Sequence, residues 1–501
     1  MTTSSASSNP FSALSEPELQ TGKLPPATPV YVLRGHASPI HALRFYSRNS
    51  RLISGDAEGW VVVWNMSTKR AVASWKAHES AVLGVEGVVI SSDQDAEGKG
   101  KGSASERWVL THGRDHKLRV WRLNLADEEV LSKELPVDES KSAHPRNEPW
   151  MFHSLSVNAL NFCAFALYRI FPDKKLASDI LPRGSQKSPG ADGAQLPKGE
   201  GSNEPHIFFL AVPNALNSGA IDIFHLPSEK RVSIISPDPS INTGMVMAVE
   251  LFRTPQGNLC LISGYEDGRV MVHKRRSPET VEKAIIDQPS WSWERIYVNH
   301  PHSQPVLSIA LSPLEKQKDR FFFSSSADAI LAKHPITITG TSKKPSISTR
   351  MDTPLKVLNT KHAGQQGLRI RNDGKIFATA GWDCRIRVYS CKSMKELAVL
   401  KWHKEGCYAV AFADVVGPNV NGENDDDAAT GRKALAHTDD TNTGAESAFD
   451  TNTKTASMAL NLAPPPGSLA AIKEQRSLKA QFTHWLAAGS KDGKISLWDI
   501  Y

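Results

Sequence analysis

Short runs of alternating apolar and polar residues recur along this chain, and each run follows a tight turn and closes on an aromatic residue or a histidine. A turn followed by such a run is typical of two antiparallel strands joined by a hairpin. A small residue or an acid lies six positions ahead of the closing residue in seven pairs: Glu58/Trp64, Asp115/Trp121, Ser218/Phe224, Asp267/His273, Asp328/His334, Asp383/Tyr389 and Asp492/Trp498. Seven such repeats predict a closed ring of small sheets.

A second pattern lies ahead of these pairs and predicts the first strand of each unit. His36 is followed by apolar residues at +4, +7 and +9, ending at Phe45. The same or a closely similar spacing follows five more histidines, and Asn242 takes the histidine's place in the fourth unit. The six histidines are His36, His78, His153, His302, His362 and His403.

These residues resemble the WD-repeat family, in which each repeat folds as one four-stranded blade of a β-propeller. In that family a histidine, a hydroxyl, the turn Asp and the Trp form one hydrogen-bonded network inside each blade. The resemblance assigns these networks: His36, Ser54 and Trp64 with Glu58 in place of Asp; His78, Thr111, Asp115 and Trp121; His362, Thr379 and Asp383 with Tyr389 in place of Trp; and His403, Asp492 and Trp498 with Ala488 at the hydroxyl position. Units three, four and five depart from the pattern, so we expect their strands but not complete networks.

One strand is left over at the beginning of the chain and one is missing at its end. The last unit stops at its third strand, after Trp498, whereas Val30–Leu33 precedes the first unit and has no unit of its own. We therefore expect this N-terminal strand to complete the last blade, which would leave the ring without an open edge.

Composition fits one soluble globular domain and excludes several other classes. Of the 501 residues, 22% are charged and 40% hydrophobic, and no stretch reaches the roughly 18 apolar residues of a membrane span. The net charge of +6 is spread along the chain, so direct nucleic-acid binding is not expected. Five scattered cysteines are typical of reduced thiols in the nucleus or cytosol. Residues 1–28, rich in Ser, Thr and Pro, read as a disordered tail ahead of a propeller at 29–501.

The repeat lengths are uneven, and the excess should lie on one face of the ring. Insertions at 91–106, 166–206 and 413–482 fall between first and second strands, and longer links fall between third and fourth strands. In an antiparallel blade both kinds of connection emerge on the same side, which we call the insertion face. The other side, the bare face, carries the fourth-to-first links and the tight turns. Insertion 413–482 should be mostly disordered, with a helix over 468–479 capped by Ser468.

The sequence contains no motif that requires an enzyme, a metal or a cofactor. His112, Asp115 and His116 have residue types found at metal sites, but their place across a strand end and a turn favours a structural hairpin. We expect protein binding instead, through residues just before the turn acids on the bare face: Arg114, Glu266, Trp382 and Lys491. Trp382 is either an exposed interface anchor or packs on a neighbouring turn.

Four segments resemble a narrower group, the fungal ASTRA-associated protein 1 family. They are Pro29–Trp75, Gly367–Ala411 with its run Gly-Trp-Asp-Cys-Arg-Ile-Arg-Val-Tyr389, Trp485–Ile500, and the short segment Pro149–His153. The resemblance implies a nuclear, non-enzymatic scaffold subunit of the ASTRA complex. It further implies a role in chromatin remodelling and association with the co-chaperone that matures phosphatidylinositol-3-kinase-like kinases. The alternatives are a reader of histone tails, a G-protein β-like adaptor and a hydrolase whose site is assembled only in space.

Overall fold

The computed structural model describes residues 27–90, 106–138, 146–158, 163–170, 207–276, 291–313, 320–336, 352–416 and 468–500. Within these residues the strands form seven four-stranded antiparallel sheets, which confirms the all-β, seven-bladed propeller. The first strands of neighbouring blades pack against one another around the centre, and the fourth strands lie at the rim.

Each of the first four blades consists of four strands that follow one another along the chain. They are β2–β5 in blade 1 (Ile40–Tyr46, Arg51–Asp56, Trp60–Asn65, Arg70–Lys76), β6–β9 in blade 2 (Val82–Ile90, Glu106–Gly113, Lys117–Arg122, Trp150–Ser156), β10–β13 in blade 3 (Ala166–Ile170, Ile207–Pro213, Ile221–Leu226, Lys230–Ile235) and β14–β17 in blade 4 (Val246–Arg253, Leu259–Tyr265, Val270–Arg275, Trp293–Asn299).

Blades 5 and 6 repeat this order, and blade 7 is completed from the beginning of the chain. The strands are β18–β21 in blade 5 (Val306–Leu311, Phe321–Ser326, Ile330–Pro335, Lys356–Asn359), β22–β25 in blade 6 (Gln365–Ile370, Ile376–Gly381, Arg385–Ser390, Glu396–Lys401), and β26–β28 with β1 in blade 7 (Cys407–Phe412, Trp485–Ser490, Lys494–Asp499, Tyr31–Arg34).

The ring closes as expected, through pairing of the first strand with the last. β1 runs antiparallel to β28, with Tyr31 opposite Leu497 and Arg34 opposite Lys494. The backbone N–H of Val30 adds a hydrogen bond of 2.8 Å to the carbonyl of Leu497. Blade 7 therefore has the same four strands as the others, and the outer edge of β28 is covered.

Apolar side chains pack between neighbouring blades rather than in one central core. Strand β4 is buried along nearly its whole length because blades cover its sheet on both faces. At the junction of blades 7 and 1, Leu33 and Leu497 pack with Ile40 and Trp64. Each junction among the described residues has one such cluster, so every blade depends on both neighbours.

The bare face carries the short turns and links that the repeat pattern predicts. The turns between second and third strands are mostly three or four residues long and are tied to the fourth-to-first links by backbone hydrogen bonds. In the turn at 57–59, for example, the N–H of Ala57 donates to the carbonyl of Pro39 at 2.8 Å. These bonds hold turns and links together as a continuous layer.

The first strand of blade 3 does not lie where the histidine pattern predicts it. His153 belongs to β9, the fourth strand of blade 2, where it pairs with Val120. The first strand of blade 3 is β10, so the insertion predicted at 166–206 is wrong at its start, because residues 166–170 form a strand. The pattern failed because apolar residues continue from β9 towards β10 and their spacing does not separate the two strands.

The helix predicted in the largest insertion is present. Helix α1 spans Leu469–Phe482, and the Ser468 side chain accepts a hydrogen bond of 3.1 Å from the N–H of Ala471, which makes it the N-cap. The tail at 1–28 and the insertions at 91–106, 166–206 and 413–482 otherwise lie largely outside the described residues. No helix among the described residues is both long and apolar enough to cross a lipid bilayer.

The long link between β8 and β9 leaves the insertion face and runs along the outside of blade 1. We call residues 123–138 and 146–149 the strap. Glu128 in the strap accepts two hydrogen bonds, of 2.8 and 2.7 Å, from the buried guanidinium of Arg51. Farther along, the N–H of Ser74 in β5 donates to the carbonyl of Ser132, and Val137 forms a parallel bridge with His36. The strap therefore covers part of the outer edge of blade 1.

We expect the free energy of unfolding to fall by about 3 kcal/mol in an Arg51→Met variant, because the buried carboxyl group of Glu128 would lose its partner. Urea denaturation monitored by tryptophan fluorescence measures the change. The matched control is the double variant Arg51→Met/Glu128→Met, which removes both charges and should recover most of the loss. Equal instability of the single and double variants would contradict this role of the ion pair.

Candidate functional site: blade networks and the bare face

Blade 2 contains the complete network that its residues predict. The indole N–H of Trp121 donates to the Thr111 hydroxyl at 2.9 Å, and the same hydroxyl lies 2.8 Å from Nε2 of His78. Nδ1 of His78 lies 2.8 Å from the Asp115 carboxylate. Because a charged carboxylate only accepts hydrogen bonds, the imidazole carries its proton on Nδ1, towards Asp115, and its Nε2 accepts the proton of the Thr111 hydroxyl.

The charges of the blade 2 network are set by burial and by its hydrogen bonds. Burial lowers the pKa of the His78 imidazole, and the hydrogen bond with Asp115 only partly opposes this effect. Burial alone would raise the pKa of Asp115, but the hydrogen bonds from His78 and Arg119 outweigh it and hold that pKa below its ordinary value. The network therefore consists of a neutral histidine and a charged Asp at neutral pH.

Blade 1 has a complete network, but its carboxylate is not the expected one. His36 lies 2.7 Å from the Ser54 hydroxyl through Nε2 and 2.7 Å from Asp56 through Nδ1. Trp64 donates its indole N–H to Ser54 at 2.8 Å. The assignment of Glu58 as the turn acid is wrong: the backbone N–H of Glu58 donates to the buried Asp56 carboxylate. Asp56 ends β3 and so is already within reach of His36 without a longer side chain.

In blade 7 the hydroxyl comes from the strand opposite the predicted position. Ala488 pairs with Ser496 across β27 and β28. The Ser496 hydroxyl lies 2.8 Å from Nε2 of His403 and accepts the indole N–H of Trp498 at 2.9 Å. Asp492 lies farther from the imidazole, 3.9 Å from its Nδ1. A cross-strand neighbour can replace the usual residue because directly paired side chains on one face of a sheet lie close together.

Blade 5, where no complete network was expected, has one. The Ser324 hydroxyl lies 2.8 Å from Nε2 of His302 and 2.9 Å from Nε2 of His334, which takes the place of Trp. Asp328 lies 3.3 Å from Nδ1 of His302, and the Tyr297 hydroxyl lies 2.9 Å from Nδ1 of His334. An imidazole N–H can take the role of an indole N–H, so the sequence expectation for this unit was wrong.

Blade 6 lacks the network that the resemblance assigned to it. His362 is exposed, and its Nδ1 lies 3.6 Å from Asp383. The carboxylate of Asp383 instead accepts hydrogen bonds of 3.1 and 2.6 Å from Arg387. His362 lies three residues before the start of β22, whereas His36, His78, His302 and His403 lie four residues before their strands, so its imidazole stays outside. Gln365 is buried, and its side-chain amide donates to the carbonyl of His362. Thr379 is buried in β23 and forms no hydrogen bond with His362 among the described residues.

Blades 3 and 4 depart from the network, as the sequence indicated. In blade 3, Asn214 donates its side-chain amide to the Asp222 carboxylate at 2.8 Å. In blade 4, the Ser263 hydroxyl donates to the hydroxyl of Tyr265 at 3.1 Å, and Asp267 pairs with Arg269. Other polar pairs thus hold these two blades.

The networks have the connectivity of a hydrolase triad, but their burial prevents that use. Ser54, His36 and Asp56 are joined in the order of a nucleophile, a base and an orienting acid. Ser54 is fully buried, and its oxygen already accepts the indole N–H of Trp64. A substrate carbonyl cannot reach that oxygen, so this arrangement holds the turn against the strands. Among the described residues no group of three His, Cys, Asp or Glu side chains could hold a metal ion.

The four candidate binding residues occupy equivalent places on the bare face. All four side chains are exposed, and each backbone N–H donates to a carbonyl of the preceding fourth-to-first link at 2.9–3.0 Å. The donor and acceptor pairs are Arg114 and Ala81, Glu266 and Met245, Trp382 and Gly364, and Lys491 and Gly406. This common backbone bond places the four residues at equivalent positions of their turns, at the surface of the bare face. That these side chains bind a partner stays a prediction.

Trp382 both packs on a neighbouring segment and remains exposed, so it combines the two arrangements that the sequence left open. Its ring lies directly against the backbone of Gly364, where an added Cβ would lie 2.2 Å from the ring, and its indole N–H donates to Gln366 at 2.7 Å. The side chain is nevertheless 46% exposed. A tryptophan fixed at one end and open on one face can anchor a partner at a small cost in side-chain entropy.

A central channel of about 320 Å³ opens between the first strands. Near the bare face its wall includes His41 and Tyr408, whose rings stack at 5.4 Å. Farther in, Arg44 donates to Glu86 at 2.8 Å. Sequence reasoning missed this channel because its wall is assembled from all seven blades, and no single repeat shows the whole.

The chain is similar to proteins of one named family. A model described as ASTRA-associated protein 1 matches residues 29–498. The ASTRA-associated protein 1 of Aspergillus niger is 51% identical over 479 residues, which make up 95% of this chain and 98% of that protein. Its counterpart in Penicillium rubens is 49% identical over 490 residues, with coverage of 95% and 98%. The Schizosaccharomyces pombe counterpart is 31% identical over 408 residues, 77% of this chain and 93% of that protein.

We expect Thr111→Val to lower the free energy of unfolding by about 2–4 kcal/mol, because both His78 and Trp121 would lose their buried hydroxyl partner. The control is the same substitution at Thr379, the equivalent position of blade 6, where His362 does not take part and the loss should be under about 1 kcal/mol. Chemical denaturation of the two variants measures the difference. Similar losses at both positions would show that the network adds nothing beyond a buried hydroxyl.

The stability of the ring should decrease as the pH falls below the ordinary histidine range. Burial lowers the pKa of His403 from 6.5 to about 4, so the unfolded chain takes up a proton that the folded chain refuses. The contribution is fully present above pH 6.5 and is lost as the pH falls towards about 4. Urea midpoints across this range should change less steeply in a His403→Gln variant than in the unchanged chain. If the urea midpoints of the two proteins changed equally with pH, His403 would not be a cause of the lower stability in acid.

Proposed function

The chain belongs to the ASTRA-associated protein 1 family, and we propose that it is a non-enzymatic, protein-binding subunit of an ASTRA assembly. The observation that carries this proposal is the bare face, where four exposed side chains of different chemistry project from a layer of hydrogen-bonded turns. A large rigid ring with a short-looped face offers a broad platform for protein partners.

The chemistry of the bare face favours binding of proteins. Its residues include an aromatic anchor, Trp382, two cations, Arg114 and Lys491, and one acid, Glu266, whose carboxylate also accepts the N–H of Met245 at 3.0 Å. Protein interfaces are enriched in tryptophan and arginine, which combine apolar area with directed polar contacts. The side chains of the blade networks, by contrast, are mostly buried and have their partners inside the blades.

Family membership also suggests where in the cell the protein acts and in which processes. We propose that the protein acts in the nucleus, contributes to chromatin remodelling, and associates with the co-chaperone that matures phosphatidylinositol-3-kinase-like kinases. The support for these roles is the family membership together with a fold suited to holding several partners at once. Nothing in this proposal requires a nucleic acid, a membrane or a cofactor.

The test is affinity purification of the tagged full-length chain from nuclear extract, followed by crosslinking mass spectrometry. We expect ASTRA subunits and the kinase co-chaperone among the purified proteins, with crosslinks from Lys491 on the bare face. Trp382→Ala should reduce recovery of the partner on that face about tenfold, in the range of a hot-spot residue. The matched control is Leu397→Ala on β25, where an apolar side chain is 55% exposed at the rim of blade 6. Recovery of neither ASTRA subunits nor the co-chaperone would refute the proposal.

A further inference from the structure

The segment Pro149–His153 has no role in the blade networks, yet it exposes two large apolar side chains. Trp150 and Met151 begin β9, the outer strand of blade 2, and are 67% and 42% exposed. Large exposed apolar side chains are the usual anchors of protein interfaces. This pair lies at the rim, on a different surface from Trp382.

A groove of about 490 Å³ lies directly beside these two residues. We call it the rim groove. Lys76, Ala77 and Glu79 of blade 1 line one side, residues 148–151 line the other, and Arg119 and Trp121 complete it. It is wide enough to take one large side chain of a partner.

The cations of the rim groove are already engaged inside the protein, whereas its acids are not. Arg119 donates to Asp115 at 2.8 Å and to the carbonyl of Ala77 at 2.6 Å. Lys76 lies over the ring of Trp60, 5.7 Å from its centroid. Glu79 and Glu148 are exposed, and neither carboxylate has a hydrogen bond or an ion pair among the described residues.

The strap extends the same chemistry beyond the groove. The Asn147 side chain donates to the carbonyl of Val130 at 3.0 Å, which holds Val130, 68% exposed, close to the beginning of β9. Glu129 and Glu134, its neighbours in the strap, are also exposed. Glu134 lies 3.8 Å from Arg146, so in the described part of the chain the carboxylates without a partner beside the apolar surface are Glu79 and Glu148 of the groove itself.

We propose that the rim groove binds a basic segment of a partner protein. In this arrangement a lysine or arginine of the partner pairs with Glu79 and Glu148, and a large apolar side chain packs on Trp150 and Met151. The charge complementarity selects a cationic partner, and the open face of Trp150 can stabilise that cation further. The inference concerns a second docking surface and does not depend on the binding role proposed for the bare face.

The experiment uses the purified full-length chain and two fluorescently labelled synthetic peptides. One contains lysine, leucine and tryptophan; the other has glutamate in place of every lysine. We expect anisotropy to detect binding of the basic peptide only, and this binding should weaken as salt is added. Trp150→Ala and Glu148→Lys should each weaken it about tenfold. Trp382→Ala, which removes the exposed tryptophan of the bare face, should leave it unchanged.

Thermal unfolding of every variant accompanies the titrations, because Trp150 is exposed and its removal should not lower the melting temperature. Met151→Ala supplies a second apolar variant, expected to weaken binding in the same direction. Equal binding of the two peptides, or unchanged binding by Trp150→Ala, would overturn the proposal. The proposal would also fail if the unchanged protein bound neither peptide and Trp150→Ala lowered the melting temperature. Trp150 would then pack within the protein rather than on a partner. Loss of binding by Trp382→Ala alone would assign the peptide to the bare face instead.

Discussion

Pairing between the first strand and the last strand is the constraint on which this propeller depends. Each blade is a sheet of four strands that is too small to bury its apolar faces alone, and each packs on two neighbours. A ring of such sheets is complete only when its last blade is whole. β1 supplies that strand, and Leu33 then joins the apolar cluster between blades 7 and 1. The two ends of the chain are thereby bound in one sheet, and the ring closes without an open edge at β28.

In blades 1, 2, 5 and 7 the recurring feature is a buried hydroxyl that bonds a histidine together with an indole or a second imidazole, whichever residue supplies it. Blade 2 uses Thr111, blade 7 reaches the same place with Ser496 from the opposite strand, and blade 5 replaces an indole with the imidazole of His334. An unpartnered donor in such a place costs about as much as a lost hydrogen bond, so any residue that supplies the partner is acceptable. Different residues thus form equivalent hydrogen bonds in these four blades.

The outer surfaces follow from where the connections lie. Short turns keep one face open, and backbone bonds to the neighbouring links hold Arg114, Glu266, Trp382 and Lys491 at its surface. At the rim, by contrast, the strap covers part of blade 1 and is fixed there by the buried pair of Arg51 and Glu128. The strap also holds Val130 close to the beginning of β9. The bare face and the rim therefore expose different side chains: Trp382 with two cations and an acid on the one, Trp150 and Met151 beside Glu79 and Glu148 on the other.

The sequence by itself determined the seven repeats, the closing strand, the cap of α1 at Ser468 and the complete network of blade 2, because each of these follows from residue types that can be read directly along the chain: the repeat pattern, the leftover strand and a serine ahead of a helix. Tertiary structure alone decided that Asp56 rather than Glu58 reaches His36, that Ser496 substitutes for Ala488, that His153 lies in β9, and that His362 stays outside its blade. It also decided the channel and the rim groove. These features join residues from different strands or different blades, and the distance between such residues is set by sheet pairing and blade packing, which linear spacing does not contain.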